Sequence, residues 1–215
     1  MNLTEDLSQL VDQLEPIARP GGQGRALMVM GASRGAGAST VARELARLAA
    51  RRSHRGVWLF DLDFANNTQA EAAHVRGQAY DARFGRDPFW TLAPDGQPAR
   101  IVARESVVPN LFVTQLQARA GAVKQVALSP APDYWTAVRQ SIDLAIVDAP
   151  GNSRAPLSLA GDLDGVILVA DARLTRTDGV TARREAIEAR GGTVAGIIVN
   201  RADGAAAGRG LSSAA

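Results

Sequence analysis

The chain has 215 residues, enough for one α/β domain with a sizeable core, and its 46% hydrophobic and 21% charged residues exclude wholesale disorder and fibrous or coiled-coil architecture. There is no cysteine and only His54 and His74 as histidines, which excludes disulfide scaffolds, thiolate metal centres and cysteine nucleophiles and leaves too little imidazole for a usual zinc site. With 24 basic residues against 22 acidic, the net charge of +2 gives no reason to expect nucleic acid as a partner.

No apolar run approaches the length that crosses a bilayer, and the first residues lack the basic and apolar blocks of a secretory signal. The expected location is therefore cytoplasmic, with no direct membrane insertion. Leu3, Leu7, Leu10, Val11 and Leu14 follow helical spacing until Pro16 and Pro20-Gly21-Gly22 break it. Residues 1–23 are thus expected to be a helix and linker, either packed on the domain's own flank or offered to a partner.

The apolar run Ala26–Met30 leads into Gly31-Ala32-Ser33-Arg34-Gly35-Ala36-Gly37-Ala38-Ser39-Thr40, and a helix is expected from Ser39 to Arg52 with Val41, Leu45, Leu48 and Ala49 on one face. A strand, a glycine-rich turn and a helix N-terminus together make an anion site, because free backbone N–H groups and the positive end of the helix dipole converge there. Gly35, Ala36, Gly37, Ala38, Ser39 and Thr40 are the candidate phosphate-binding residues, with the Ser39 hydroxyl placed to hold magnesium. Aligned on Gly37 and Ser39, the lysine of the P-loop pattern G-x-x-x-x-G-K-[ST] falls on Ala38 and its first glycine on Ala32. Lys124 is the single lysine, and Arg34 lies on a different arc of the loop, so no ammonium group replaces the missing one. Filling the glycine space with Gly37→Val is expected to block a phosphate.

The run Val57–Phe60 ends in Asp61-Leu62-Asp63. Carboxylates at the carboxyl end of a strand on this edge could orient an attacking hydroxyl or water, which makes Asp61 and Asp63 the candidate catalytic residues; a capped turn is the plainer alternative. Residues from Gly77 to Pro109 carry Pro88, Pro94, Pro98 and Pro109 and read as an irregular excursion. A strand at Leu111–Thr114 and a helix at Tyr134–Ser141 follow. The strand Leu144–Val147 runs into Asp148-Ala149-Pro150-Gly151, the Walker B arrangement, with Asp148 a candidate metal ligand beside Ser39 and the next loop placed to sense a γ-phosphate.

After the strand Val166–Val169, a helix is expected over Thr175–Arg190 with Gly191-Gly192 as its stop, then a strand at Ile197–Val199. Asn200 is the candidate base-reading residue; Asn200-Arg201-Ala202-Asp203 also has the form of a guanine-reading motif, and a capped turn is again the alternative. Residues 204–215 are rich in Gly, Ala and Ser and are expected to be a flexible tail. Each strand run is continuous instead of alternating, so both faces are expected to be buried. The expected fold is α/β: a doubly wound, mostly parallel sheet in a three-layer sandwich, with one P-loop nucleotide-binding domain over 24–203.

The loop, Leu59-Phe60-Asp61-Leu62-Asp63, Asp143–Pro150 and Gly191–Asn200, in this order, resemble the MinD/ParA superfamily of P-loop ATPases, and more closely the cytoplasmic tyrosine kinase domains of bacterial capsule and exopolysaccharide loci. The resemblance implies ATP or ADP with Mg2+ at Gly35, Gly37, Ser39, Thr40 and Asp148, attack assisted by Asp61 or Asp63, and adenine in preference to guanine. It further implies a membrane polysaccharide co-polymerase or export protein as partner, recruitment to the inner membrane through that partner, and a homodimer or larger oligomer. This chain departs from the kinase pattern at Ala38, at Ala65 where those kinases have arginine, and at Gly151 where they have a second proline, and no tyrosine follows Tyr134. The signature lysine of ParA and MinD falls on Ser33. A regulator or adaptor with weak or no catalysis is the expectation. An active ATPase or autokinase, or a localisation scaffold of the ParA or pilus-assembly kind, is the alternative.

Overall fold

Continuous apolar runs become interior strands because a layer of helix or loop covers each face of the sheet they form. The structure, a computed structural model, describes residues 7–8, 11–12, 22–93, 99–118, 125–151 and 153–201. In chain order these form β1 (Arg25–Gly31), α1 (Ala38–Ala50), β2 (Val57–Asp61), α2 (Thr68–Ala72), β3 (Ala79–Asp81), β4 (Trp90–Ala93), β5 (Ala99–Glu105), β6 (Leu111–Ala118) and β7 (Gln125–Leu128). Then come α3 (Pro132–Ser141), β8 (Leu144–Ala149), a 3-10 helix (Ala155–Asp162), β9 (Gly165–Asp171), α4 (Thr177–Glu188) and β10 (Val194–Asn200).

The main sheet has the order β10-β9-β1-β8-β2-β6-β5-β3. From β10 to β6 neighbouring strands run parallel, while β5 and β3 add antiparallel pairings at the far edge. Alternation along each strand divides the core in two. Leu27, Val29, Val57, Leu59, Leu144 and Ile146 pack with Val41, Leu45 and Leu48 of α1 on one face. Ala26, Met28, Trp58, Phe60, Ala145 and Val147 pack with Tyr134, Trp135 and Val138 of α3, Leu157 and Leu159 of the 3-10 helix and Ile187 of α4 on the other. The three expected layers are present.

Two expectations need correction. The Gly77–Pro109 segment is not an irregular excursion: it contains β3, β4 and β5, and β4 pairs antiparallel with β7 in a separate two-stranded sheet. Pro88 lies between β3 and β4 and Pro109 between β5 and β6, where no ladder hydrogen bond is forfeited, and Pro94 and Pro98 lie outside the described residues. Second, among the described residues β10 is an edge strand, and its Ile197 and Val199 are 42% and 44% exposed. Among the described residues no helix is long and apolar enough to cross a membrane. Of the N-terminal helix expected in 1–23, Leu7 and Val11 are helical and buried in the α1 face of the core, which is where the flank-packed reading puts them. Leu3, Leu10, Leu14, the Pro16–Gly21 break, Lys124, Asp203 and the 204–215 tail lie outside the described residues.

Candidate nucleotide site

Parallel strands leave their carboxyl ends at one edge of the sheet, so the turns after β1, β2, β8, β9 and β10 meet there. Gly37 caps α1 in the left-handed region (φ 91°, ψ 18°), and no side chain caps the helix or places a carboxylate in its first turn. The first N–H groups of α1 therefore have neither a side-chain cap nor an acidic residue of their own turn beside them, which leaves them to an anion such as phosphate. Gly35 is also left-handed (φ 75°), and a methyl group added to it would meet nothing within 4 Å, so this side of the loop is open. Ala36 and Ala38 are buried in the core, whereas Ser39 and Thr40 are exposed at the mouth and Arg34 points to solvent.

The outer side of the loop is gripped by the end of β10. Asn200 Nδ2 donates to the carbonyl of Ala36 at 2.9 Å, and Arg201 Nη1 donates to that of Gly35 at 3.0 Å. Arg201 also pairs with Asp171 Oδ2 at 2.6 Å; hydrogen bonds from the Arg173 backbone and the Arg201 side chain hold the Asp171 carboxyl down at about 2. At the start of the loop the hydroxyls of Ser33 and Thr175 lie 2.8 Å apart. A Cβ on Gly151 would stand 3.0 Å from the Ser33 carbonyl, and Arg183 donates to the Gly151 carbonyl at 2.8 Å, so the turn after β8 lies directly on the phosphate loop. Asn200 thus lies at the loop, with its amide N–H committed to the loop's main chain.

Strand parity brings the acidic residues together. Asp61 and Asp148 continue the Val57/Leu59 and Leu144/Ile146 faces toward α1, and they are paired neighbours in the β2–β8 register. The Ser39 hydroxyl donates to Asp148 Oδ1 at 3.1 Å. Burial raises the Asp148 carboxyl against the opposing hydrogen bonds from Gln69 and Ser39 and the charge of Arg43. Asp61, 2% exposed, is pushed up to about 6 by burial first and by the charges of Asp148 and Asp63 next. Its two oxygens accept the main-chain N–H groups of Asp63 (2.8 Å) and Gln69 (2.9 Å), so Asp61 shapes the turn that follows β2. Asp63 is only half-buried and accepts Asn66 Nδ2 on both oxygens at 3.0 Å, which makes it the more open carboxylate of the pair.

Gln69 and Arg43 escape a reading of the sequence. Gln69 is fully buried between Ser39 and Asp148, yet no motif spacing marks it, and Arg43 is legible only as the residue one turn beyond Ser39 on α1. Away from the loop, Arg52 pairs with Asp12, Arg55 with Asp143 and Arg184 with Glu188.

The kinase domain of Escherichia coli tyrosine kinase ETK superposes with a TM-score of 0.63 at 17% identity, over 93% of this chain and 77% of that one. The chain has the fold of the bacterial tyrosine kinase domains and MinD/ParA ATPases. The cell division ATPase MinD of Pyrococcus furiosus matches with a TM-score of 0.52 at 15% identity, over 84% of this chain and 74% of that one. A nucleotide-binding protein of Archaeoglobus fulgidus, in complex with ADP, matches with a TM-score of 0.50 at 18% identity, over 91% of this chain and 70% of that one. No family model and no curated protein matches the sequence. In this fold Ser39 stands in the first turn of α1, Asp63 in the turn after β2 and Asp148 next to the last residue of β8.

Proposed function

We propose that the chain binds ATP or ADP with Mg2+ at Gly35–Thr40 and acts as a regulator or adaptor with weak or no catalysis. One observation carries the reading: an uncapped helix N-terminus behind left-handed Gly35 and Gly37 sits beside a Ser39–Asp148 oxygen pair 3.1 Å apart, with Ala38 in the lysine position. Two oxygens on adjacent positions of an octahedral Mg2+ lie about 3 Å apart, given metal–oxygen distances of about 2.1 Å, so Ser39 Oγ and Asp148 Oδ1 suit that ion. Among the described residues no group of three or more His, Cys, Asp or Glu side chains is arranged to hold a metal ion by itself. Phosphate and water would complete the shell, as is usual for magnesium. When bound, Mg2+ would neutralise phosphate charge.

In this reading Asp63, the more open carboxylate, orients an attacking group, and Asp61 holds the turn that carries it. Phosphoryl transfer depends chiefly on electrostatic stabilisation, so a loop with alanine for lysine supports binding better than turnover. Asn200 braces the loop and leaves its carbonyl oxygen for the adenine amino group. The sequence resemblance to bacterial tyrosine kinase domains, whose fold the chain shares, is the ground for a membrane polysaccharide co-polymerase or export protein as the partner that brings the chain to the inner membrane, and for self-association as a homodimer or oligomer.

Titration calorimetry with ADP and ATP, in Mg2+ and in EDTA, tests the reading. Binding that Mg2+ strengthens is expected, with phosphate release from labelled ATP close to background. Absence of heat at millimolar nucleotide would overturn it, and rapid release abolished by Asp148→Ala would replace the adaptor by an active ATPase or autokinase.

A further inference from the structure

A buried primary amide must satisfy two donors and an acceptor, and Gln69, with 0% exposure, does so inside the candidate metal site. Its Nε2 donates to Asp148 Oδ2 at 2.6 Å and to the Ser39 carbonyl at 2.8 Å, and its Oε1 accepts Arg43 Nη1 at 3.0 Å. The surroundings allow one orientation only. Turned over, the amide would set its oxygen against a carboxylate and a carbonyl, and its NH2 against a guanidinium. The main-chain N–H of Gln69 is meanwhile tied to Asp61 Oδ2 at 2.9 Å, and Asn67 exchanges hydrogen bonds with the Leu116 backbone, so the start of α2, which carries Gln69, is anchored to β2 and β6.

Asp148 is consequently held by one donor on each oxygen: the Ser39 hydroxyl on Oδ1 and the Gln69 amide on Oδ2. The two donors are not equivalent. Ser39 is exposed at the loop mouth and can rotate to offer its lone pairs to a cation, whereas Gln69 is enclosed and fixed by Arg43. A cation arriving from the mouth would find Oδ1 available and Oδ2 taken.

We propose that Gln69, oriented by Arg43, is a positioning residue that restricts Asp148 to one-oxygen coordination and so selects Mg2+ over Ca2+ in the nucleotide complex. Ca2+ accepts bidentate carboxylates in shells of six to eight oxygens, while Mg2+ demands a compact octahedron that one carboxylate oxygen, one hydroxyl and several waters or phosphate oxygens satisfy. Blocking Oδ2 costs the smaller ion nothing and denies the larger one its second oxygen. This rests on the nucleotide reading above and deepens it by naming what sets the metal preference.

The test is ADP binding by the full chain, measured by calorimetry in EDTA, in Mg2+ and in Ca2+, for wild type, Gln69→Met and Arg43→Met. Methionine nearly matches glutamine in length and removes the amide, freeing Oδ2. For wild type, Mg2+ is expected to strengthen ADP binding at least tenfold more than Ca2+ does. In Gln69→Met this preference should fall by about tenfold, the scale of one hydrogen bond to a charged group, and Ca2+ should draw level. Arg43→Met leaves the glutamine in place without its orienting partner, and the same preference should fall about threefold. Circular dichroism and a thermal melt establish that each variant is folded, and Arg43→Met carries the test alone if Gln69→Met is not. A preference unchanged in the folded variants overturns the role of Gln69 while leaving nucleotide binding intact. If wild type binds no ADP in any of the three conditions, the nucleotide reading falls and takes this inference with it.

Discussion

Asn200 Nδ2 donates to the carbonyl of Ala36 at 2.9 Å and occupies the place that a side chain on Gly37 would need: a Cβ there would lie 2.3 Å from the same nitrogen. The last strand of the sheet thus braces the phosphate loop from outside. In a trans peptide the carbonyl oxygen and the next N–H point in opposite directions, so holding the Ala36 carbonyl outward turns the Gly37 N–H inward. A residue read from sequence as a base contact is also part of the loop's frame.

Gly37→Ala is therefore expected to damage the loop for two separable reasons. The left-handed backbone at φ 91° costs a non-glycine residue about 1–2 kcal/mol, and contact with Asn200 adds to it. Denaturant unfolding should show a larger loss for Gly37→Ala than for Gly37→Ala combined with Asn200→Gly, each relative to its parent, because the second background removes the contact and keeps the strain. Equal losses would mean that Asn200 yields freely. The larger Gly37→Val meets Asn200 before it meets any phosphate, so it should lower stability even without nucleotide.

Much of this frame is legible in residue order, and the rest for physical reasons is not. Six apolar runs mark the parallel strands, and counting by twos from Val57 and Leu144 places Asp61 and Asp148 on the face of α1. The antiparallel strands at 79–81, 90–93, 99–105 and 125–128 escape that reading because they are short or bear arginines, and proline nearby suggests a loop. Gln69 escapes for a different reason. Its burial depends on partners 30 and 79 residues away in sequence, at Ser39 and Asp148, and a glutamine carries no local sign of such contacts.

Ala38→Lys should restore a charge at the position where the P-loop pattern has one. Ala38 is 8% exposed at the first turn of α1, so a lysine there must run its stem along the loop toward the mouth. A charge-assisted hydrogen bond to phosphate contributes about 1.5–3 kcal/mol, which is roughly ten- to 150-fold in affinity for ATP by calorimetry. No gain in ATP affinity would mean that the cradle does not present the phosphates to this position.

Away from the site, Asp143 links stability to pH. It accepts the Ser53 hydroxyl and the backbone N–H groups of His54 and Arg55 on one oxygen and Arg55 Nε on the other, at 2.7–2.9 Å. Burial alone would raise this carboxyl; the Arg55, His54 and Ser53 hydrogen bonds outweigh it and hold the group at about 2. A folded value below the unfolded one of about 3.9 means that the stabilisation is complete above about pH 4 and fades as pH falls toward 2. Asp143→Asn should lose about 2 kcal/mol at pH 7 in urea unfolding, and the gap to wild type should close progressively below pH 4. A gap independent of pH would show that shape, not charge, makes the contribution.

Asp148 should show the opposite sign. Its carboxyl is raised by burial, so the ionised form opposes folding at neutral pH even with Gln69, Ser39 and Arg43 around it. Asparagine fits the same partners: its oxygen can accept Gln69 Nε2, and its NH2 can donate to the Ser39 hydroxyl oxygen. Asp148→Asn is therefore expected to raise the melting temperature of the nucleotide-free protein while removing the increment that Mg2+ adds to ADP binding. The two effects have one origin, since a carboxylate kept unneutralised in the folded chain has most to gain from a cation. Calorimetry and thermal melts on the same preparations check both, and a variant that melts lower than wild type without ligand would show that hydrogen bonds to the carboxylate outweigh its burial.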